Sequence, residues 1–239
     1  MTLLQVDYSQ AELRAMAALS NDQWMLAALQ EGQPDFFEAF MLPVCYPGVD
    51  RTVWSKQETK DNRAKVKGVQ YGLAFDRGAR AIAKALSLPV LDTQIIIDNY
   101  LSTAHSFRDW RLEVKAAAIT PSKRDMLVSP TGRRFQSEII TAQNAAKIQR
   151  EALSFLPQAT ASDMCLITAI RIHENIKDAG AHIVALVHDA ILVESPTAEL
   201  AEQLGKYVSQ EMRKTGEMFF STVPFLSEYS VGARWGDLA

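Results

Sequence analysis

Ile183-Val184-Ala185-Leu186-Val187-His188-Asp189-Ala190-Ile191-Leu192-Val193 is the stretch whose reading decides the fold. Two apolar, β-branched runs, 183–187 and 191–193, flank a short polar tip. They read as a buried hairpin whose tip carries the only charge. A strand at 3–7 opens the chain, and a short strand is expected near Tyr229. Helical spacing dominates the rest: 10–19 with Ser9 placed to cap, 22–30, and a short helix at 35–41 before Pro43, Pro47 and Gly48 break the pattern. A long helix is predicted over 55–75, with Ser55 and Glu58 in capping-box spacing. Another runs over 91–118. A hairpin is expected around Ser129-Pro130-Thr131-Gly132, then helices at 141–154 and 158–179, the latter closed by Gly180, and a helix at 196–214. The pattern predicts an α+β fold: a small, mostly antiparallel sheet packed with many helices, with a helical insertion between the first strand and the hairpin.

Composition excludes several classes. The chain has 239 residues, 48% hydrophobic and 22% charged, an ordinary globular balance. Cys45 and Cys165 are too few for a disulfide framework, and no Cys/His cluster offers a zinc site. No apolar run approaches a membrane span and the N-terminal residues lack a signal-peptide pattern, so a cytoplasmic location is expected. The net charge of −3 hides an asymmetry. Residues 51–150 carry 18 Lys+Arg against 9 Asp+Glu, a balance of +9; the remainder carries 7 against 19, a balance of −12. A basic middle suits a polyanion, and equally suits a solvated helical face.

Three constellations carry chemistry. Asp7 ends the first strand and Asp189 sits at the hairpin tip. If the strands are neighbours, two carboxylates meet at one sheet edge, where a hard divalent cation would relieve their repulsion. Each is also an ordinary turn aspartate when taken alone. Arg63, Lys67 and Tyr71 share one helix face over about 12 Å, at roughly 1.5 Å per residue. That is the reach of a nucleoside triphosphate, with the cations on phosphates, Tyr71 stacking, and Gly72 letting a further base approach; it is also the pattern of a surface helix whose Tyr packs inward. In Asp7-Tyr8-Ser9-Gln10-Ala11-Glu12-Leu13-Arg14 a helix starts directly after a strand-end carboxylate. Its N-terminus can help hold an anion, or simply favour Glu12 through the helix dipole.

In this order the pieces resemble the family A DNA polymerases. Asp7 to Arg14 is similar to motif A, Arg63-x-x-x-Lys67-x-x-x-Tyr71-Gly72 to motif B, and Val187-His188-Asp189-Ala190 to motif C. Gln158-Ala159-Thr160-Ala161-Ser162-Asp163 is similar to the family's Gln helix, and Val231-Gly232-Ala233-Arg234-Trp235 to its chain end. The resemblance implies palm at 1–34, fingers at 35–125 and palm again at 126–239. It implies template-directed DNA synthesis, adding deoxynucleotides to a primer 3′-OH by two-metal phosphoryl transfer. Asp7, Asp189 and Lys67 would be catalytic. Asp7, the Tyr8 carbonyl and Asp189 would bind two Mg²⁺ ions, with Mn²⁺ as a substitute. Gln10, Glu12, Arg63, Lys67, Tyr71 and Phe75 would bind the nucleotide, with Glu12 gating against a 2′-OH. Arg133, Arg134, Arg150, Ser154, Gln158 and His188 would contact DNA. The implied partners are primer–template DNA and deoxynucleoside triphosphates, in a bacterial or phage-infected cell.

The sequence departs from the family pattern in several places. The Glu that follows the motif C Asp is Ala190. The Tyr-Gly ending the fingers helix reads Phe75-Asp76, which adds a carboxylate there. The His that reaches the triphosphate is missing from Asp35-Phe36-Phe37, and the Asn before the Gln helix is Ser154. Motif A begins at residue 7, so a thumb and an exonuclease domain are expected to be absent, a separate N-terminal thumb-bearing polypeptide is expected as partner, and residues 3–6 are expected beside unpaired sheet edges. A different-class alternative is a non-catalytic nucleic-acid-binding remnant or accessory subunit. A single-subunit RNA polymerase is a second, against which Glu12 argues.

Overall fold

The computed structural model describes residues 1–238. Strand β1 (Thr2–Tyr8) leads into α1 (Ala11–Ser20) and α2 (Gln23–Ala28). A π-helical turn, Phe36–Met41, runs into α3 (Leu42–Cys45), whose first turn absorbs Pro43 because a proline there forfeits no helical bond. Then come α4 (Lys56–Ala74), α5 (Ala79–Leu86), α6 (Val90–Thr103) and α7 (His105–Ile119). The long α8 (Ala145–Asp178) precedes β2 (His182–Val187), β3 (Ala190–Ser195), α9 (Ala198–Phe219) and β4 (Ser227–Gly232). No helix among the described residues is long and apolar enough to cross a membrane.

The sheet is antiparallel with order β2-β3-β1-β4. The expectation that residues 3–6 border unpaired edges is therefore overturned: β1 is an inner strand, bonded to β3 and β4. Its alternation explains why. Leu4, Val6 and Tyr8 are buried on the face that α9 covers, while Leu3, Gln5 and Asp7 lie on the other. α9 lies close on β4 because Gly205 faces Tyr229; a Cβ there would run into the ring. The hairpin reading is half right. β3 is buried, but β2 is the edge strand and leaves Val184 and Leu186 exposed, because an apolar run does not say which strand ends the sheet.

The chain divides into two compact units, one of residues 1–18, 128–133 and 157–239, the other of 19–127 and 134–156. The first contains the sheet. Its core joins Leu4, Val6, Tyr8, Leu13, Met164, Val193, Val208, Met212 and Phe225. The second is helical. One part of its core is aromatic, with Trp24, Phe36, Phe37, Tyr100 and Phe107 in edge-to-face or tilted pairs. Another gathers Val114, Ala118, Leu127, Ile148, Ala152, Leu153 and Leu156.

Other expectations change in detail. The helix expected over 91–118 is two, α6 and α7, parted at Ala104. Ser102 and Thr103 donate back to the Asn99 carbonyl, and buried Asp22 accepts from Phe107 N at 3.1 Å while capping α2 through Met25 N at 3.0 Å. The two helices expected at 141–154 and 158–179 are one, because α8 carries Pro157 in its interior at the cost of a bond to the Leu153 carbonyl. Packing of Leu153, Leu156, Ala159 and Ala161 holds it helical. The hairpin expected around 129–132 is present in minimal form, with Ser129 N donating to Arg133 O at 2.8 Å and Phe135 N to Leu127 O at 2.9 Å. α5 has no counterpart in the sequence reading.

Candidate active site

The two strand ends carrying Asp7 and Asp189 meet, as a neighbouring pair of strands requires. Asp7 stands opposite Ala190 on β3 and opposite Glu228 on β4. Tyr8 N donates to the Asp189 carbonyl at 3.4 Å. Both turns are built on left-handed residues without glycine: Gln10 at φ +60° and His188 at φ +56°. His188 is the first central residue of the β2–β3 turn, where glycine is usual, and each such conformation costs of order 1 kcal/mol. Surrounding bonds hold the motif A turn in place. Ser9 N donates to Leu226 O, and Arg14 donates from Nε to Ser9 O at 2.9 Å and from Nη1 to Pro224 O at 2.7 Å. Burial brings Arg14 down to about 10, a desolvation that a stapling role tolerates because both carbonyls replace water. The Tyr8 hydroxyl, buried, donates to Met212 O at 2.8 Å and lies 3.3 Å from Thr168 Oγ1.

Burial raises the Asp7 carboxyl, and the charges of Asp189 and Glu228 raise it further. Asp189 is raised by burial, against the lowering effect of its backbone bond and of His188. Glu12 is raised by burial and then by Asp189, with the Gln158 side chain bonding it in the opposite sense. Gln5, Asp7, His188, Asp189, Trp235 and Leu238 line a cleft of about 330 Å³, where Trp235 Nε1 donates to Gln5 Oε1. Among the described residues no three His, Cys, Asp or Glu side chains form a metal cage. A two-carboxylate site of hard oxygens fits Mg²⁺ that completes its shell with a backbone carbonyl, water and substrate phosphate, as Mg²⁺ commonly does.

The helical unit presents the Arg63, Lys67 and Tyr71 ladder on α4. Ser55 and Glu58 form the expected capping box. Residues 35–37 line this face. Asp35 takes a two-point fork from Arg63, Nε to Oδ1 at 2.8 Å and Nη2 to Oδ2 at 2.6 Å. The buried Phe37 ring lies 5.7 Å from the Arg63 guanidinium carbon, 6.0 Å from Lys67 Nζ and 6.3 Å from the Tyr71 ring. The fork and the bond from Glu38 N hold the Asp35 carboxyl below its ordinary value despite burial. Gly72 admits Ile82 of α5, which a Cβ would meet at 2.7 Å, and Gly68 likewise admits Leu86. Beside them Tyr71, Phe75 and Ile82 line an apolar cleft of about 220 Å³. Asp76, where the family pattern has glycine, keeps the left-handed backbone at φ +51°. Its carboxylate is neutralised by Arg111 at 3.2 Å and Lys115 at 2.7 Å on α7, and Arg111 also donates to Leu73 O.

The expected residues fall in both units. The sheet unit holds Asp7, Tyr8, Gln10, Glu12, Arg133, Gln158, His188 and Asp189; the helical unit holds Arg63, Lys67, Tyr71, Phe75, Arg134, Arg150 and Ser154. Arg133 is forked onto Asp163, which Thr131 also bonds at 2.7 Å. Ser154 Oγ donates to the Arg150 carbonyl at 3.0 Å. Sequence reasoning missed Arg14, Asp35 as partner of Arg63, Asp163 and Glu228. Only Arg14 had a local signal, its place within the motif A run.

The model of DNA polymerase family A matches residues 1–237, and the chain belongs to that family. It is 25% identical over 240 residues to the thermostable DNA polymerase I of Thermus thermophilus, covering 98% of this chain and 27% of that protein. It is 25% identical over 247 residues to the DNA polymerase of Bacillus phage SP01, covering 98% and 26%. Among solved structures it resembles the polymerase domain of Pol1 from M. smegmatis, in complex with DNA primer-template and dNTP. The TM-score there is 0.81 at 26% identity, over 98% of this chain and 40% of that one. The chain thus spans about a quarter of the length of the first curated relatives it matches.

Proposed function

We propose that the chain is the palm and fingers part of an enzyme that extends a DNA primer on a template. Residues 1–34 and 126–239 are read as palm and residues 35–125 as fingers. The observation that carries the reading is the register placing Asp7 and Asp189 at adjoining strand ends in a family A chain, both carboxyls raised by burial and Asp7 further by the charge of Asp189. Two Mg²⁺ ions held by Asp7, the Tyr8 carbonyl and Asp189, or Mn²⁺ in their place, would offset the charge developing on the attacking 3′-oxygen and the leaving pyrophosphate.

This chain's own groups do the rest. Arg63 and Lys67 bind the triphosphate, and Lys67 gives a proton to the leaving pyrophosphate. Tyr71 stacks on the incoming base, and Phe75 stacks at the template base. Glu12, held by Gln158, fills the space of a ribose 2′-OH, while Gln10 lines the nucleotide pocket. Arg134, Arg150, Ser154, Gln158 and His188 position primer and template. Arg133 acts through its fork on Asp163, fixing the turn on which it lies. The remaining grip on duplex DNA is assigned to a thumb-bearing segment, joined to this chain or separate, and the setting is the bacterial or phage-infected cytoplasm.

A second reading, a nucleic-acid-binding accessory without catalysis, is favoured by Ala190, which lacks the usual motif C carboxylate. Primer extension by the chain mixed with a thumb-bearing polymerase segment separates the two. Mg²⁺-dependent extension that Asp7→Asn removes is the expected result. DNA binding without extension under any divalent cation would establish the accessory reading instead.

A further inference from the structure

We propose that Asp35 competes with the phosphates of the incoming nucleotide for Arg63, and so sets how tightly the α4 ladder takes a triphosphate. The inference rests on the reading of that ladder as the triphosphate site. A carboxylate and a phosphate present the same paired oxygens to a guanidinium, so the fork on Asp35 occupies the donors that a phosphate would use. Asp35 cannot simply swing clear. Its Oδ1 also accepts from Glu38 N at 2.9 Å, capping the Phe36–Met41 turn, which fixes the carboxylate beside the helix. Arg63 is held differently. Its guanidinium rests over the buried Phe37 ring, a contact that survives a change of anionic partner. Both side chains are about one-third exposed, 34% and 30%, so an arriving anion reaches the pair from solvent. Exchange therefore costs one ion pair and gains another, and the net affinity is lower than the bare ladder would give.

The test is calorimetric titration of the full chain with inorganic tripolyphosphate and, separately, with a deoxynucleoside triphosphate. Asp35→Asn keeps the cap and removes the charge. It is expected to bind both probes roughly three- to tenfold tighter, the range of a partly exposed ion pair with good geometry. The gain should vanish when Arg63→Gln is combined with it, since the competition acts only through that side chain. Glu38→Gln, which removes an exposed charge nearby without touching the fork, should change affinity by less than about twofold. Asp35→Ser supplies the same comparison with a different capping oxygen, and circular dichroism checks that each variant folds.

Equal or weaker binding by the Asp35 variants overturns the proposal and makes Asp35 a residue that orients Arg63 for the substrate. An equal gain from Glu38→Gln also overturns it, leaving only a general field effect. If neither the parent chain nor any variant binds either probe, the ladder reading fails and the proposal falls with it.

Discussion

The two units carry opposite charges at their candidate sites and treat them in opposite ways. At the strand ends, Asp7, Asp189 and Glu228 crowd together; burial raises Asp7 and Asp189, and the charges of Asp189 and Glu228 raise Asp7 further. Along α4, Arg63 is already paired with Asp35, and just past the helix end Asp76 is paired with Arg111 and Lys115 of α7. One site is left in electrostatic debt for a cation to settle. The other has one of its ladder cations, Arg63, paired before any anion arrives. The contrast teaches that a net balance of +9 in the middle of the chain overstates the free positive charge there, because Arg63 and Arg133 are paired with Asp35 and Asp163, carboxylates that lie outside residues 51–150.

The contrast is broken most severely at the strand ends. Asp7→Asn or Asp189→Asn in a reconstituted polymerase should lower extension by on the order of 10²–10³-fold, as loss of a charge-stabilising group does. The same variants should raise the melting temperature of the chain in metal-free buffer. The sign follows from the raised carboxyls. A raised acid favours the folded state while it is protonated, so its support is complete below the unfolded value near 4 and is lost as pH climbs through the folded value. Melting curves from pH 4 to 7 should fall less steeply for Asp7→Asn than for the parent chain. Parallel curves would remove Asp7 from the repulsive pair.

Glu12→Ala tests the same unit more gently. If Glu12, held by Gln158, occupies the space of a 2′-OH, its truncation should narrow the deoxy-to-ribo preference by roughly 10–100-fold, read from incorporation of each nucleotide in turn. An unchanged ratio would place the gate elsewhere. The smallest effect is expected at the satisfied site. Asp76→Asn keeps a residue that tolerates the left-handed backbone but removes the charge facing Arg111 and Lys115. Denaturant unfolding should show a loss of about 1–3 kcal/mol, the cost of leaving a nearly buried guanidinium without its ionic partner. No loss would mean that the α4–α7 link is not held by these ion pairs.

Much of the sheet unit was legible because its chemistry lies in short contiguous runs. Motif A and motif C each place a carboxylate at a strand end, and alternation then decides which residues face the core. What remained hidden was pairing at long range. That Asp7 faces Glu228 depends on β4, which starts more than two hundred residues later. Asp35 meets Arg63 across 28 positions, and Asp163 meets Arg133 across 30. Asp22, read only as the start of a helix over 22–30, caps α2 with one oxygen and with the other accepts from Phe107 N, inside the run that looked like one helix over 91–118. α5 escaped notice because its short sequence makes sense only against Gly68 and Gly72, the hollows that Leu86 and Ile82 fill. A glycine in a motif suggested a ligand, and here it admits a neighbouring helix.

Gln10 and His188 hold backbone conformations that favour glycine or asparagine, one at each strand end. A library of variants ranked by heat resistance alone would therefore reward their replacement. The winners would keep the sheet and shed the two side chains beside the carboxylate pair. Thermal selection and selection for nucleotide addition thus pull this chain in different directions at the same two positions, and a screen meant to improve the protein has to score both.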